Sequence, residues 1–303
     1  MSFNPGDSTE NPDIKAGAHA GPVQEGMAPG VTIDSGLVDS PAQSGSNDFA
    51  LASGLLVDAT PTDPAWNGWD VARIMIMFVV CFFVALLAML AIVPGAGFKA
   101  RAMRLAASPA LAILAQMLAY VLLLGYMYIL VTKERGRPRF WSAIHWNWPA
   151  KIGPFLLVGL AMQIVFVILE NFLPFPKQTP FDELLQMRAA LVMISVFAVT
   201  LGPLMEELFF RGFLYPVLAR RFGMLTGVIA TAVPFGLMHA AQYGYSWASV
   251  LLVSVVGVVL GTVRAKRDSV GAGFIVHVAY NGTIMVMLLI ATGGFQHLER
   301  LKQ

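Results

Sequence analysis

The sequence has few charged residues and a single cysteine, and both shortages limit what the protein can be. Only 13% of the 303 residues are charged, 57% are hydrophobic, and the mean hydropathy is +0.68. Soluble domains contain about 25% charged residues, so this composition excludes an ordinary soluble protein and indicates several membrane helices. The lone Cys81 excludes an internal disulfide framework and a metal site built from several cysteines.

Basic residues are almost missing from the start of the chain. Residues 1–70 contain ten of the 18 acidic residues but only Lys15 among the 20 lysines and arginines. This region is rich in Gly, Ser, Pro and Asp, and it has neither a basic n-region nor an apolar h-region, so we expect no signal peptide. Because it cannot bury enough apolar surface to offset its ordering entropy, we predict a disordered acidic tail over residues 1–65.

Long apolar stretches fill the rest of the chain, and we predict a membrane-embedded helical body over residues 70–295. Most stretches approach the roughly 20 residues that span the hydrocarbon core, and spanning segments of this kind must be helical. The predicted fold is therefore an all-α, polytopic bundle of seven spans, or eight if the last stretch breaks at Gly282. The stretches lie near 72–94, 106–132, 152–174, 188–205, 224–242, 247–264 and 270–292.

The distribution of lysine and arginine predicts how the bundle is oriented. With a cytoplasmic N-terminus, most basic loops fall on the cytoplasmic side, as the positive-inside rule requires. These loops contain Lys133, Arg135, Arg137, Arg139, Lys151, Arg220, Arg221, Arg264, Lys266 and Arg267. The first loop, with Lys99, Arg101 and Arg104, is basic on the opposite side and argues against this orientation.

The segment Thr179-Pro180-Phe181-Asp182 has the pattern of a helix start. Thr179 suits the N-cap, Pro180 suits the first helical position, and Asp182 complements the positive end of the helix dipole. We predict that a helix begins here and continues into a membrane span that ends at Glu206 and Glu207.

Glu206 and Glu207 begin the first of three motifs written at helical spacing. Glu207 and Arg211 are four residues apart and therefore share a helix face, whereas Glu206 is turned about 100° away. One carboxylate can then pair with the arginine while its neighbour stays available for proton transfer. The alternative is a cluster at a helix end whose side chains reach the headgroups.

Two further motifs place a histidine in an apolar segment. Phe235 and His239 lie one turn apart just after Pro234, which should bend the helix; His239 could also be a packed core residue. His277 and Asn281 share one helix face, and both can donate hydrogen bonds to a developing oxyanion or, alternatively, to a neighbouring helix. Ionisable groups in three membrane segments are costly, so together they indicate a functional site.

Glu206-Glu207-x-x-x-Arg211, Phe235-x-x-x-His239 and His277-x-x-x-Asn281, in this order, resemble the type II CAAX prenyl protease family. This family includes the bacterial CAAX protease and bacteriocin-processing (CPBP) branch. Arg211-Gly212, Gly257-x-x-x-Gly261 before Arg264, and Ser269 agree with the pattern. The resemblance covers residues 180–285 and leaves the tail and the first three spans without a counterpart.

The resemblance implies an intramembrane endopeptidase, a hydrolase that needs no cofactor. By position in the motifs, Glu206 assisted by His239 would activate water, and His277 with Asn281 would hold the oxyanion. Glu207, Arg211 and Phe235 would support the site. The predicted catalytic residues are Glu206, His239, His277 and Asn281. The predicted supporting residues are Glu207, Arg211 and Phe235.

Two other functions are compatible with the same residues. His239, His277 and a glutamate could bind Zn²⁺ in a metalloprotease, although no HExxH motif is present. Buried Glu and His also occur in non-proteolytic scaffolds and proton-coupled carriers, but the two halves of the chain show no inverted repeat.

The remaining expectations concern surroundings and partners. The substrate would be a peptide or a membrane protein, the lipid bilayer is the other partner, and no nucleic acid is expected. The style of the family suggests a bacterial inner membrane. We interpret Glu170 as a helix end rather than a cavity residue, and His145, which lies among tryptophans, as an interface residue.

Overall fold

The protein is described by a computed structural model that covers residues 64–176 and 178–299, and these residues form helices without any strand. The prediction of a disordered tail over residues 1–65 falls almost wholly outside them. The all-α prediction is confirmed. The helices are α1 Gly68–Ile92, α2 Phe98–Ala106, α3 Pro109–Ile129, α4 Phe140–Ala143, α5 Gly153–Glu170, α6 Pro180–Leu185, α7 Arg188–Val199, α8 Leu201–Glu207, α9 Tyr215–Phe222, α10 Met224–Met238, α11 Trp247–Arg267 and α12 Val270–Ala291.

Six helical segments in the described residues are long and apolar enough to cross a membrane. They are Gly68–Ile92, Pro109–Glu134, Gly153–Glu170, Arg188–Phe222, Trp247–Arg267 and Val270–Ala291. The predicted span near 224–242 is the 15-residue helix α10, which is shorter than a typical span. The possible eighth does not form, because α12 continues without a break through Gly282.

The two glutamates lie inside a long helical segment, which continues past the predicted end of the span at Glu206 and Glu207 as far as Phe222. The segment Arg188–Phe222 runs from α7 through α8, the π-helical turn Leu208–Leu214 and α9. It is interrupted at Thr200 (φ −128°, ψ −94°), because Pro203 has no N–H to continue the α-helical hydrogen bonds to residue 199. The π-helical turn ends at Leu214, two residues before Pro216, another residue without an N–H.

The helix start at Thr179 is confirmed, but the helix is short. Thr179 accepts a hydrogen bond from the Asp182 N–H at 3.2 Å, and the Asp182 carboxylate accepts from the Thr179 N–H at 2.8 Å. The two residues thus form a capping box. However, α6 ends at Leu185, and α7 begins separately at Arg188.

Two apolar clusters meet at the segment that carries the glutamates. One cluster joins α1 and α3 to Met205, Leu208 and Phe213, and the other joins α5, α11 and α12 to Phe210 and Phe235. Successive residues of this segment therefore pack into different clusters. Any polar side chain between them is enclosed on both sides.

Small residues allow α10 and α11 to approach closely. A Cβ added to Gly236 would lie 2.1 Å from Ser254 Oγ, and one added to Gly257 would lie 2.9 Å from Ala232 Cα. Small residues at helix contacts are typical of membrane proteins, where backbones pack together directly. This packing brings the end of α10, and with it His239, beside α11.

The start of α1, the loop after α3 and the turn between α11 and α12 lie at one end of the bundle. Arg73 of α1 binds Glu134, and His145 binds Asp268 at 2.7 Å. This hydrogen bond, together with Arg264, holds the pKa of Asp268 at about 2. Glu170 ends α5 with an exposed side chain, as predicted, whereas the interpretation of His145 as an interface residue stays a prediction.

Candidate active site

Glu206 and Glu207 are adjacent in sequence but differ sharply in exposure. The Glu207 side chain is fully buried, whereas the Glu206 side chain is 16% exposed. The difference follows from the turn of about 100° between consecutive helix residues. Water can thus reach one carboxylate, while the other is enclosed by protein.

Glu207 forms a buried ion pair with Arg211. Arg211 Nη1 donates to Glu207 Oε1 at 2.9 Å, and Arg211 Nη2 donates to the Gly257 carbonyl of α11 at 2.9 Å. The guanidinium also lies 4.6 Å from the centre of the Phe235 ring, within the range of a cation–π contact. Because the pair is enclosed rather than placed at a helix end, the headgroup alternative for Glu207 and Arg211 is not supported.

His277 lies between the two glutamates. Its Nδ1 is 3.1 Å from Glu207 Oε1, and its Nε2 is 3.6 Å from Glu206 Oε2. The imidazole is buried, with 3% exposure, and its ring centre is 5.8 Å from that of Phe235. The structure thus joins the first and third motifs of the sequence through a single side chain.

The hydrogen-bond partners of His277 determine what its two nitrogens can do. Glu207 Oε1 already accepts from Arg211, and a carboxylate only accepts, so His277 Nδ1 must carry the hydrogen of this bond. In the neutral ring, Nε2 is then a bare acceptor facing Glu206. Nε2 can donate only when the ring is a doubly protonated imidazolium.

Asn281 lies one turn beyond His277 and bonds to the interrupted helix. Its Nδ2 donates to the Ala198 carbonyl at 2.7 Å. Ala198 is in the last turn of α7, where carbonyls lack partners within the helix. Asn281 therefore stabilises the break before Glu206, and the second hydrogen on Nδ2 remains available for another acceptor.

His239 is the C-cap residue of α10. Its Nδ1 lies 2.8 Å from the Phe235 carbonyl, which can only accept, so Nδ1 carries the hydrogen and Nε2 is an acceptor in the neutral ring. In the part of the chain that the structure describes, no hydrogen bond or ion pair joins His239 to Glu206. The structure therefore connects His277 directly to the glutamates and places His239 beside them only through Phe235.

Phe235 is the packing centre of the site. It is 1% exposed, and its ring contacts those of Phe210, His239 and His277 at centroid distances of 5.3, 5.1 and 5.8 Å. An aromatic side chain in this position fixes the orientation of several polar groups without competing for their hydrogen bonds.

Gly273 is a site residue that the sequence analysis missed. A Cβ added there would lie 2.7 Å from Glu207 Oε2, so any larger residue would displace this carboxylate from its position between Arg211 and His277. Oε2 has no hydrogen-bond partner in residues 64–176 and 178–299. The spacing could have revealed this residue, because Gly273 precedes His277 by four residues on the same helix face.

In residues 64–176 and 178–299, no group of three or more His, Cys, Asp or Glu side chains is placed so that it could hold a metal ion. The carboxylates and imidazole of the site are instead engaged with Arg211 and with each other.

Comparison with known families agrees with the resemblance seen in the motifs. Residues 188–283 match the family described as Rce1-like, type II CAAX prenyl endopeptidase Rce1-like. The matched segment contains Glu206, Glu207, His239, His277 and Asn281. No curated protein and no solved structure matches the chain. The match, together with six apolar helices, identifies an integral membrane protein with a domain of a protease family.

Proposed function

We propose, from the Rce1-like type II CAAX prenyl endopeptidase domain that this chain carries over residues 188–283, that it hydrolyses peptide bonds within the membrane. The observation that carries the proposal is the unequal pair of carboxylates beside His277. Glu207 is buried and paired with Arg211, whereas Glu206 is partly exposed and faces only the Nε2 of His277, at 3.6 Å, among the described residues. This arrangement supplies a carboxylate that can exchange a proton with bound water.

Glu206 is the proposed general base. A water molecule between Glu206 and the substrate would lose a proton to the carboxylate while its oxygen attacks the peptide carbonyl carbon. The proton would then pass to the leaving amine as the C–N bond breaks. We assign His239 to assist this transfer, because its Nε2 can accept a proton while Nδ1 stays bonded to Phe235.

His277 and Asn281 are the proposed donors to the oxyanion. For this role His277 must be in its imidazolium form, with Nδ1–H bonded to Glu207 and Nε2–H directed to the substrate oxygen. The second hydrogen of Asn281 Nδ2 would provide the other bond. Loss of one oxyanion donor typically lowers the rate by about 10²–10³-fold.

The proposed substrate is a peptide or a membrane protein whose cleavage site can enter the bundle. The family description names a prenyl endopeptidase, and a bacterial member would cut other membrane-associated chains. We also propose a bacterial inner membrane with a cytoplasmic N-terminus. The contacts Arg73–Glu134 and His145–Asp268 support this orientation, because they bring the start of α1 to the same end as the basic loops.

The alternatives make different demands on the same residues. A metal-dependent protease would have to gather His239, His277 and a glutamate around one ion, which requires a rearrangement of the described side chains. A scaffold would not need the unequal carboxylates, and a proton-coupled carrier would use them without cleaving a peptide bond. Both alternatives can be separated from the proposal by one set of measurements.

The test is cleavage of a quenched-fluorescent peptide library by the purified full-length protein, with and without a strong chelator. Glu206→Ala and His239→Ala are measured in parallel, and gel filtration checks that each variant is folded. Glu134→Ala is the matched control, because it removes a carboxylate far from His277. We expect activity that survives chelation, disappears in Glu206→Ala and His239→Ala, and persists in Glu134→Ala.

Other results would lead to different conclusions. Loss of activity on chelation, with recovery on adding Zn²⁺, would favour the metalloprotease. Full activity in folded Glu206→Ala would contradict the proposed general base. Absence of cleavage in every condition would favour the scaffold or carrier.

A further inference from the structure

A cavity of about 560 Å³ lies at the end of the bundle that carries the basic loops. It is bounded by the start of α5, the end of α11, the loop before α5 and the first turn of α12. Cavities of about 300–1,000 Å³ are typical of small-molecule sites. The proposed peptidase mechanism does not use any residue that lines it.

Three cations line this cavity, and no acidic residue of 64–176 or 178–299 does. Lys151 comes from the loop before α5, and Lys266 and Arg267 come from the last turn of α11. The nearest carboxylate in sequence, Asp268, is engaged by Arg264 and His145 and does not line the cavity. The three positive charges therefore have no counterion in the cavity wall, which favours an anionic ligand.

The remaining walls are apolar or aromatic. Phe155 and Val158 of α5 face Val263 of α11 across the cavity, and Trp148 contributes from the loop. Trp148 is 61% exposed, as expected for a tryptophan at a membrane–water boundary. A soluble anion would use only the basic end of such a cavity, whereas a lipid would use both the basic end and the apolar walls.

The cavity is separate from the candidate active site. Ala272 of α12 lines the cavity, and His277 lies five residues later, about 140° around the helix. The face of α12 that carries His277 also carries Gly273, which is in contact with the Glu207 carboxylate. The helix thus turns one face to the glutamates and another to the cavity.

We propose that this cavity binds the phosphate headgroup of an anionic phospholipid from the surrounding leaflet. Lys151, Lys266 and Arg267 contact the phosphate, and the first part of an acyl chain lies against Phe155 and Val263. Basic pockets between membrane helices on the cytoplasmic side bind such headgroups, and that leaflet is rich in anionic lipid. Two of the apolar spans, α5 and α11, contribute to the lining, as expected for a site within reach of the bilayer.

The test measures binding of fluorescent phosphatidylglycerol to the full-length protein in mixed micelles. The variant Lys151→Ala/Lys266→Ala/Arg267→Ala removes the three cations of the cavity. The control Lys99→Ala/Arg104→Ala/Arg188→Ala removes three exposed cations elsewhere, so the net charge of the two variants is equal. At about 1 kcal/mol for each cation, the cavity variant should bind about 100-fold more weakly, whereas the control should bind like the wild type.

A second variant tests the apolar part of the site without changing charge. Val263→Trp places a large side chain in the cavity and should also displace the lipid. Equal loss of binding in the cavity and control variants would overturn the proposal, because it would show general attraction to a basic surface. Unchanged binding in both the triple variant and Val263→Trp would also overturn it.

Competition separates lipid from the other anions that could occupy the cavity. Unlabelled phosphatidylglycerol should displace the probe, whereas phosphatidylcholine and millimolar inorganic phosphate should not. Displacement by inorganic phosphate would indicate a soluble phosphate ligand instead. A carbodiimide crosslink from Lys151 or Lys266 to a carboxylate of residues 1–63 would indicate that the acidic start of the chain is the occupant.

Discussion

Two charge clusters in this protein have similar components but different surroundings. At the start of α1, Asp70 is buried and bonds to Arg135, while Arg73 forms two hydrogen bonds with Glu134. The side chains of Arg73, Arg135 and Glu134 are 31%, 30% and 39% exposed. In the candidate active site, by contrast, the Glu207–Arg211 pair is fully buried.

The two clusters differ in the sum of the formal charges of their side chains. The cluster at Asp70 has two carboxylates and two arginines, so its formal charges sum to zero. The cluster in the active site has two carboxylates, one arginine and His277, so it is balanced only when it holds one more proton. A buried cluster with a transferable proton is suited to catalysis. A neutral, partly exposed cluster is suited to a structural role, and here it links α1 to the segment that follows α3.

The largest expected effect comes from breaking the buried pair. In Glu207→Ala the fully buried Arg211 loses its carboxylate, and breaking a buried pair in this way typically costs about 3–5 kcal/mol. We expect a much lower yield of folded protein and a clear fall in the melting temperature in detergent. Arg73→Ala is the matched change in the exposed cluster, and it should alter the melting temperature far less. Equal losses would contradict the contrast between the clusters.

Asn281→Ala separates the two roles of this residue. If Asn281 holds the oxyanion, kcat should fall by about 10²–10³-fold while the melting temperature changes little. If it only secures the Ala198 carbonyl at the helix break, stability should fall together with activity. We expect the first result, measured by the rate of peptide cleavage and by thermal unfolding of the same preparation.

Gly273→Ala tests whether the position of Glu207 matters for catalysis. The added methyl group would displace a carboxylate that Arg211 and His277 hold in place, so we expect activity to fall about 10-fold or more. Gly282→Ala is a control on the same helix, because its Cβ would come no closer than 4.0 Å to Val199 Cγ1. Unchanged activity in Gly273→Ala would mean that the carboxylate can move without consequence.

The smallest expected effect concerns the ion pair at the turn between α11 and α12. The pKa of Asp268 is lowered to about 2 by the hydrogen bond from His145 and by Arg264, so Asp268 stabilises the folded state when ionised. This contribution is present above pH 4 and is lost as the pH falls towards 2. Asp268→Asn should therefore lower the melting temperature slightly at pH 6, and the difference from the wild type should shrink at pH 3. A constant difference would contradict the assigned cause.

The helices themselves could be predicted because membrane spans are governed by local rules. Length and hydropathy identify a span without knowledge of its neighbours, and the cap at Thr179 depends only on residues within one turn. The predicted helix boundaries differ from the structure where the pattern of backbone hydrogen bonds determines where a helix ends. The helix continues past Glu207 through a π-helical turn, and α6 ends before α7 begins. Neither boundary can be recognised from the hydropathy of the sequence.

The sequence by itself determined the class of the protein, the motifs and the pairing of Glu207 with Arg211, since residues four apart on one helix must be neighbours. Only the tertiary structure decided that His277 lies between Glu206 and Glu207, that Gly273 leaves room for a carboxylate, and that Asn281 bonds to Ala198. These contacts join residues about 70 to 80 positions apart. Helical periodicity fixes which face a side chain occupies, but the packing of other helices fixes what that face meets.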